Sequence, residues 1–257
     1  MLDKYYKIVR GKSKPRFLTA KASMKKELEK IEKSKQCVLC SKEHKLPSVK
    51  VKISTEEDPT FRNATTLTFS SKGASKTAAQ VAATVAKNFA KGKKTLIVSG
   101  DVVHGLPFLI KILNNLKVFP AVVITSDPLY SAKSLKLVQK IADVHAPVWR
   151  FANPGCAEHF GVDGYVDIVK QNIAALKPEI VRIPLMPGHL ECDAKPIMQW
   201  IAIQNPNILV QLVLAHAPQA SERAPELGKT VTITDLHDVA AFARQLGLNA
   251  ESIASQN

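Results

Sequence analysis

A regular alternation of short apolar runs and helix-like stretches, from residue 65 onward, constrains the fold more than any other feature of the chain. Six runs are apolar and rich in β-branched residues; they lie at 65–69, 95–98, 121–125, 144–149, 180–185 and 208–214. Helical patterns lie between them, near 77–90, 106–116, 131–142, 164–176 and 194–204. Strands repeatedly followed by helices are typical of parallel βαβ units with both faces of the sheet covered. Six such strands favour an open or partial barrel over a closed eight-stranded one. We therefore predict an α/β fold, a partial (β/α)6 TIM-like barrel of parallel strands with a basic N-terminal extension.

The segments on either side of this pattern differ from it. A last helical pattern at 236–246 follows Thr234-Asp235, a typical N-cap pair, and ends at Gly247. The residues after it are expected to fray. We therefore predict three segments. Residues 1–60 form a basic N-terminal arm that contains a short helix and a C-x-x-C motif, residues 61–248 form the barrel, and residues 249–257 form a flexible tail.

The N-terminal arm contains most of the chain's excess positive charge. Residues 1–54 hold 16 Lys and Arg against 5 Asp and Glu, which is +11 of the chain's net charge of +14. Residues 23–35 have the pattern of a short charged helix, with Met24, Leu28 and Ile31 on one narrow apolar stripe. Because that stripe is too small to form a core, we predict that the arm, between Lys4 and Lys52, contacts other protein subunits. Nucleic acid is the alternative partner.

Length and composition exclude several classes of protein. With 257 residues, 46% of them hydrophobic, the chain can bury a core without disulfides or metals. Its 4 cysteines, two of them isolated, do not form the framework of a secreted disulfide-rich domain. No apolar run approaches the roughly 20 residues of a membrane span, and the first residues lack the apolar core of a signal peptide. A cytoplasmic protein without a membrane span is therefore expected.

The loop after the first run of the pattern is a candidate site, because ligands of parallel α/β folds bind beyond the carboxyl ends of the strands. Residues 70–77 (SSKGASKT) are similar to a phosphate-binding loop at their Ser75-Lys76-Thr77 end. Both glycines of that motif are serines here (Ser70 and Ser75), although the backbone of the motif must approach phosphate closely. A capped helix start with solvated lysines is the simpler interpretation, and a nucleotide site is the alternative.

A more specific likeness lies further along the chain. Residues 181–192 (VRIPLMPGHLEC) match the pattern V-R-x-x-L-M-P-G-H-x-E-C, and residues 122–138 and 143–157 are similar to neighbouring regions of the same proteins. The chain therefore resembles radical SAM proteins of the pyruvate formate-lyase activating enzyme family, in the branch of activating-enzyme-like proteins. The resemblance extends from about residue 37 to residue 218. It implies a barrel that once held an iron–sulfur cluster and S-adenosylmethionine.

The cluster-binding loop of that family departs most from its pattern in this chain. The family loop, F-S-x-C-x-x-x-C-x-x-C-Q, holds a [4Fe–4S] cluster with three thiolates and leaves one iron open for S-adenosylmethionine. Matching Phe69-Ser70 and Gln80 to this loop gives the residues that replace the three cysteines: Lys72, Lys76 and Ala79. A protonated lysine has no lone pair for iron. The resemblance therefore predicts no Fe–S cluster here.

The positions that bind S-adenosylmethionine in the family are also altered. The family motif G-G-E-P is Ser99-Gly100-Asp101-Val102 here, so Asp101 keeps a carboxylate but Val102 replaces the proline. The family motif D-x-K is 148–150 here, where Val148 replaces the acidic residue and Arg150 the lysine. A retained scaffold without its ligands predicts a catalytically inactive pseudoenzyme with no cofactor.

The motif C-x-x-C in the arm calls for a separate interpretation. Cys37, Cys40 and His44 have the spacing of half a zinc site, and the resembling branch carries a similar cysteine-rich stretch before its barrel. A structural zinc ion held by these three residues is one hypothesis. A pair of reduced structural thiols, or the remnant of a lost site, is the other.

Other residues with functional chemistry are expected to be mainly structural. His189 lies in a turn, where a hydrogen-bonded loop histidine is more common than a general base. Cys156 and Cys192 are expected to be small core or loop groups, and Trp149 and Trp200 to pack the barrel rather than stack on a ligand. His104 follows Asp101 by three residues, which is compatible with an acid/base pair.

Three functional hypotheses follow from these patterns. The first is an inactive radical-SAM-like scaffold or adaptor subunit of a larger cytoplasmic protein assembly. The second is binding of nucleic acid or ribonucleoprotein through the basic arm. The third is a repurposed small-ligand or nucleotide-binding enzyme; its pocket would be lined by Asp101, His104, Lys72 and Lys76.

Overall fold

The computed structural model describes residues 50–56, 58–70, 73–118, 120–214 and 229–254. The chain is a mixed α/β protein in which helices connect mainly parallel strands. It divides into two compact units. The first unit extends to Ser126 and includes Tyr130–His145; the second contains Asp127–Leu129 and continues from Ala146. Within the described residues, no helix has both the length and the apolar character needed to cross a membrane.

The first unit is built on a six-stranded sheet with the order β3-β1-β2-β4-β5-β6. Its strands are β1 Lys50–Ser54, β2 Ala64–Phe69, β3 Ala74–Ser75, β4 Thr95–Gly100, β5 Ala121–Thr125 and β6 Val144–His145. Strands β2, β4, β5 and β6 are parallel, whereas β1 is antiparallel to both β2 and β3. The central strands are apolar on both faces, which is the pattern of a parallel sheet covered by helices.

Three helices of the described part of this unit follow its strands, and each begins at a polar capping residue. They are α1 Ala78–Ala90, α2 Val102–Asn115 and α3 Ala132–Ile141. Thr77 and Gln80 form a reciprocal capping box at the start of α1, and Ser131 caps α3. Asp101 caps α2, so this helix begins four residues earlier than its apolar pattern predicts.

The second unit contains a three-stranded parallel sheet with the order β7-β8-β9. Its strands are β7 Ile180–Leu185, β8 Leu209–Leu214 and β9 Asn249–Ala254. Its helices are α4 Pro154–His159, α5 Tyr165–Leu176, α6 Lys195–Gln204 and α7 Ile233–Gln245, and a π-helical turn at Leu190–Ala194 leads directly into α6. Trp149 is fully buried in the core of this unit and packs edge-on against Trp200 at 5.1 Å, so both tryptophans pack in this core.

The predicted parallel strands and helices between residues 65 and 214 are present, but the strands belong to two sheets. A TIM barrel is therefore not shown. The fourth predicted run, 144–149, is shorter as a strand because Pro147 has no N–H for the ladder. Its continuation pairs with β7 instead: Val148 forms a parallel bridge with Arg182, whose N–H donates to the Pro147 carbonyl at 2.8 Å.

Two boundaries predicted from the sequence are wrong. Residues 249–254 are not a frayed tail but strand β9, which hydrogen-bonds in parallel register along the whole of β8. Pairing with β9 satisfies main-chain groups that a buried, apolar β8 would otherwise leave open. Residues 50–54 do not belong to a separate arm but form β1, whose Val51 lies opposite Phe69 and is buried. Residues 1–49 lie outside the described residues, so the arm's predicted helix is not tested.

Candidate metal centre

The loop after β2 contains the three residues that match cluster cysteines of the resembling family. Lys72 lies outside the described residues, while Lys76 and Ala79 are exposed. Strand β3 of this loop pairs with β1, and the added Cβ of an alanine at Gly73 would lie 2.6 Å from the backbone of Val51. The main chain of β1 therefore lies directly against this loop.

Asp101 and His104, whose spacing is compatible with an acid/base pair, are in direct contact. His104 Nδ1 lies 2.7 Å and 2.9 Å from the two carboxylate oxygens of Asp101. Asp101 also accepts the His104 backbone N–H at 3.2 Å as the N-cap of α2. The two side chains are 58% and 31% exposed, and the neighbouring Val102 is buried. The carboxylate therefore already has a structural role at this helix end.

Arg150, which matches the lysine of the family motif D-x-K, is held by an ion pair in the second unit. Its Nε donates to Asp127 at 3.0 Å and 3.1 Å, and its backbone N–H donates to the Tyr165 hydroxyl at 3.0 Å. That hydroxyl donates in turn to Asp127. Burial of the tyrosine raises its pKa, so the phenol stays protonated. Val148, half-buried beside β7, adds no polar group to this network.

A different group of four side chains converges in the second unit: Cys156, His189, Cys192 and Asp193. One potential ligand atom from each lies within 4.8 Å of the corresponding atoms of the others. The two sulfurs are 3.6 Å apart, and Cys192 Sγ is 3.7 Å from His189 Nδ1. Asp193 Oδ2 lies 3.1 Å from His189 Nδ1 and 3.6 Å from Cys192 Sγ. Both cysteines are free thiols.

Local backbone structure places three of these side chains on one side of the chain. After β7, the residues Pro187-Gly188 turn sharply, with Gly188 at a φ of +81° that few other residues adopt. The π-helical turn then begins, and the N–H groups of Asp193 and Ala194 both donate to the His189 carbonyl, at 3.0 Å and 3.3 Å. Residues 189, 192 and 193 therefore share one face. π-Helical turns within or next to α-helices are frequent at functional sites.

Short helix α4 supplies the fourth side chain. It begins at the N-cap Asn153, whose side chain accepts from Gly155 N–H, and Pro154 occupies its first turn. Cys156 lies in the same first turn and faces Cys192 across 3.6 Å. The ring of Phe160 packs at 5.8 Å from the ring of His189 and covers that side of the cluster.

The carboxylate of Asp193 is oriented by the main chain. Its Oδ1 accepts hydrogen bonds from the N–H groups of Ala152 and Asn153 at 2.7 Å and 2.9 Å. This leaves Oδ2 directed at His189 and Cys192. The Asp193 side chain is 1% exposed and that of His189 is 11% exposed. The Asp193 carboxylate is therefore fixed in position and buried, while the other three side chains are partly buried.

The electrostatic environment keeps both sulfurs protonated in the absence of a cation. Burial, followed by the hydrogen bond to Cys192 and the charge of Asp193, raises the pKa of Cys156 to about 12. Burial likewise raises the pKa of Cys192. A nearby cation would favour the thiolates. Two sulfurs, one imidazole nitrogen and one carboxylate oxygen are a donor set that suits zinc.

His189, Cys156 and Cys192 were predicted to be separate structural residues, and Asp193 was not predicted to have a role. The structure brings all four together. A signal was present in the order His189-x-x-Cys192-Asp193, because residues at i, i+3 and i+4 share a helical face. Cys37, Cys40 and His44, predicted as a zinc site, lie outside the described residues.

Comparison with known proteins finds one relative from Methanocaldococcus jannaschii, which is named "Uncharacterized protein MJ0674". The chain is 26% identical to it over 161 residues. The match covers 61% of this chain and 48% of the relative, so the chain spans about half the length of that curated protein. No family model matches the chain, and no solved structure matches it. The relative's name assigns no activity.

Proposed function

We propose that the chain is a catalytically inactive, radical-SAM-like protein that serves as a scaffold or adaptor subunit of a larger cytoplasmic protein assembly. The observation that carries this proposal is the chemistry of the loop after β2. Lys72, Lys76 and Ala79 occupy the positions at which the resembling family has three cysteines. Ammonium and methyl groups cannot replace thiolates on a [4Fe–4S] cluster.

The surroundings of the loop support the same proposal. Lys76 and Ala79 are exposed, and the loop between them and β2 pairs through β3 with the antiparallel strand β1. The positions that correspond to adenosylmethionine contacts also have other partners. Asp101 caps α2, and Arg150 pairs with Asp127. These groups serve the fold rather than a cofactor.

The partial (β/α)6 TIM-like barrel is part of the proposal. In the first unit, β2, β4, β5 and β6 are parallel and neighbours in chain order. In the second unit, the bridge between Val148 and Arg182 is parallel, and β7, β8 and β9 are again parallel neighbours in chain order. A succession of parallel strands joined by helices is the local architecture of such barrels.

The charge distribution indicates the class of partner. Residues 1–54 carry +11 of the chain's +14, so the remaining chain is close to neutral. A basic segment with a narrow apolar stripe (Met24, Leu28, Ile31) fits an acidic protein surface with a hydrophobic groove. Its acidic residues from Glu27 onward disfavour nucleic acid, which would repel them.

Anaerobic reconstitution with iron and sulfide tests the loss of radical chemistry. The wild-type chain is expected to form no 5′-deoxyadenosine from S-adenosylmethionine after reduction with dithionite. The matched variant K72C/K76C/A79C restores the family pattern and reports whether the loop still accepts a cluster. Formation of 5′-deoxyadenosine by the wild type would refute the proposal; iron bound at Cys37 and Cys40 alone would not produce it.

Deletion of residues 1–49 tests the scaffold function, because it removes the arm and leaves β1 intact. Partners are identified by affinity purification of the full chain from its source cells, with nuclease treatment. Full-length protein is expected to retain a stoichiometric protein partner that the deletion loses. The variant M24S/L28S/I31S keeps the charge and tests the apolar stripe. A partner lost on nuclease treatment, or binding with a steep salt dependence, would support nucleic-acid binding instead.

The direct contact between Asp101 and His104 favours a second candidate function, a repurposed small-ligand or nucleotide-binding enzyme. Lys76, in the loop after β2, is exposed and would supply positive charge for an anionic ligand. Thermal-shift measurements with ATP, GTP and S-adenosylmethionine test it. A shift that H104A abolishes would support this candidate, and no shift with any of the three would refute it.

A further inference from the structure

We propose that Cys156, His189, Cys192 and Asp193 bind one zinc ion in a closed, four-coordinate structural site. The site is independent of the scaffold function and of the cysteine motif in the arm. It would connect α4 to the π-helical turn that precedes α6. Geometry, preorganisation and donor chemistry each support it.

Four of the six distances between the donor atoms are close to the edges of a zinc tetrahedron, and Cys156 Sγ lies within 4.8 Å of the His189 and Asp193 donor atoms. With Zn–S near 2.3 Å and Zn–N and Zn–O near 2.1 Å, tetrahedral edges are about 3.8 Å for S–S, about 3.6 Å for S–N and S–O, and about 3.4 Å for N–O. The corresponding distances are 3.6 Å between the sulfurs, 3.7 Å from Cys192 to His189 and 3.6 Å from Cys192 to Asp193. His189 Nδ1 and Asp193 Oδ2 are 3.1 Å apart. These four distances therefore differ from the tetrahedral edges by only a few tenths of an ångström.

The donor atoms are already directed at a common point. Two backbone N–H groups hold Oδ1 of Asp193, so that Oδ2 remains for the ion. Hydrogen bonds of this kind from outside the coordination shell orient zinc ligands and increase affinity. The π-helical turn positions His189 and Cys192 on the same face, and Phe160 covers the imidazole. Little conformational entropy is lost on binding as a result.

The donor set selects among metals. Two thiolates are too soft for Mg²⁺ or Ca²⁺, and the tetrahedral arrangement disfavours Cu²⁺. Four protein donors leave no open position for water, which is typical of structural rather than catalytic zinc. Binding releases one proton from each thiol to solvent and leaves two thiolates, a neutral imidazole and a carboxylate on the ion. The resulting negative charge lies near the N-terminal end of α6, where the helix dipole favours it.

A disulfide between Cys156 and Cys192 is the main alternative. It requires the sulfurs to approach from 3.6 Å to about 2.05 Å. It also uses neither His189 nor Asp193, although both are directed at Cys192. A purely hydrogen-bonded cluster is the other alternative, and it makes no use of the tetrahedral spacing.

Metal analysis of the full-length chain, purified under reducing conditions and dialysed against zinc, tests the proposal. The variant C156S/C192S is expected to lose one equivalent of zinc relative to wild type, whereas the control C37S/C40S retains that equivalent. D193N is expected to weaken zinc affinity at least tenfold in competition with a chelator, and the exposed neighbouring control E191Q to leave it unchanged. Equal zinc content in wild type and C156S/C192S would overturn the proposal.

Measurements on the wild type keep the test independent of variant folding. Zinc is expected to slow alkylation of Cys156 and Cys192, mapped by peptide mass spectrometry, at least tenfold relative to chelator-treated protein. Cobalt substitution should produce the intense visible absorption of a tetrahedral site with two thiolate ligands. Equal alkylation rates with and without zinc, or a Cys156–Cys192 disulfide in protein kept reduced, would overturn the proposal.

Discussion

Replacing Gln211 with leucine tests whether a buried polar row stabilises the second sheet. Gln211 of β8 lies in register between Arg182 of β7 and Glu251 of β9. Its Oε1 accepts a hydrogen bond from Arg182 Nε at 2.9 Å, and its Nε2 donates to Glu251 Oε1 at 2.7 Å. Gln211 is 0% exposed and Arg182 is 8% exposed. The amide therefore connects a buried cation to a carboxylate across three strands.

The expected cost follows from these two hydrogen bonds. Each has a charged partner and contributes about 1.5–3 kcal/mol, so that their loss costs about 3–6 kcal/mol. Burying the apolar leucine side chain offsets about 1–2 kcal/mol of this loss. We therefore expect Q211L to lower the free energy of unfolding by about 1–5 kcal/mol.

Urea unfolding followed by tryptophan fluorescence measures this effect in the second unit, which contains Gln211. The chain contains 2 tryptophans, and both Trp149 and Trp200 pack in the core of the second unit. The midpoint of the fluorescence transition is therefore expected to fall in Q211L with little change in its slope. Q204L, which changes an exposed glutamine at the end of α6, is the matched control and should stay within about 0.5 kcal/mol of wild type.

A double-mutant cycle separates the polar row from general loss of packing. R182M/Q211L removes the cation together with its acceptor, so it should cost about 1–2 kcal/mol less than the sum of the single variants. If Q211L unfolds within about 0.5 kcal/mol of wild type, or the two costs simply add, the hydrogen bonds do not stabilise the sheet as argued.

Three further predictions concern other parts of the structure. Gly100→Ala should yield little folded protein, measured by soluble yield and circular dichroism, because φ is +76° and the added Cβ would lie 2.1 Å from a carbonyl oxygen of β2; normal folding would contradict that close approach. Tyr165→Phe should lower stability to urea by about 1–3 kcal/mol, since it removes the buried hydroxyl that donates to Asp127; an unchanged midpoint would show that the hydroxyl is dispensable. Hydrogen bonds from Thr232 lower the pKa of Asp235 in the folded state. The carboxylate therefore stabilises the fold at pH values above its unfolded pKa of about 4, and this stabilisation is lost as the pH falls through the lowered pKa of the folded state. The melting temperature of wild type should therefore fall more steeply on acidification below about pH 4 than that of D235N, and parallel curves would refute the assignment.

Local patterns in the sequence were sufficient to predict most secondary structure. Alternating apolar runs and helical periodicity depend on neighbouring residues, so strands such as β4 and helices such as α5 are where the pattern predicts them. Capping chemistry is also local, which is why Thr77-x-x-Gln80 marks the start of α1. The absence of cysteine at 72, 76 and 79 is likewise visible without coordinates.

Strand partners were not predictable, because pairing is decided between distant segments. The sequence NAESIA of β9 has little apolar character, and it forms a strand because the edge of β8 is open beside it. Similarly, β1 is ordered by the register that places Val51 opposite Phe69. The division of the parallel strands between two sheets depends on such long-range contacts.

By itself, the sequence determined the alternation of the main strands and helices between residues 64 and 214, the concentration of charge near the beginning of the chain and the chemistry of the loop after β2. Only the tertiary structure decided that Cys156 meets His189, Cys192 and Asp193. The two cysteines are 36 residues apart, and nothing in their local sequence specifies the distance between α4 and the π-helical turn. That distance results from packing of the intervening strand and helices, and packing is a property of the whole unit.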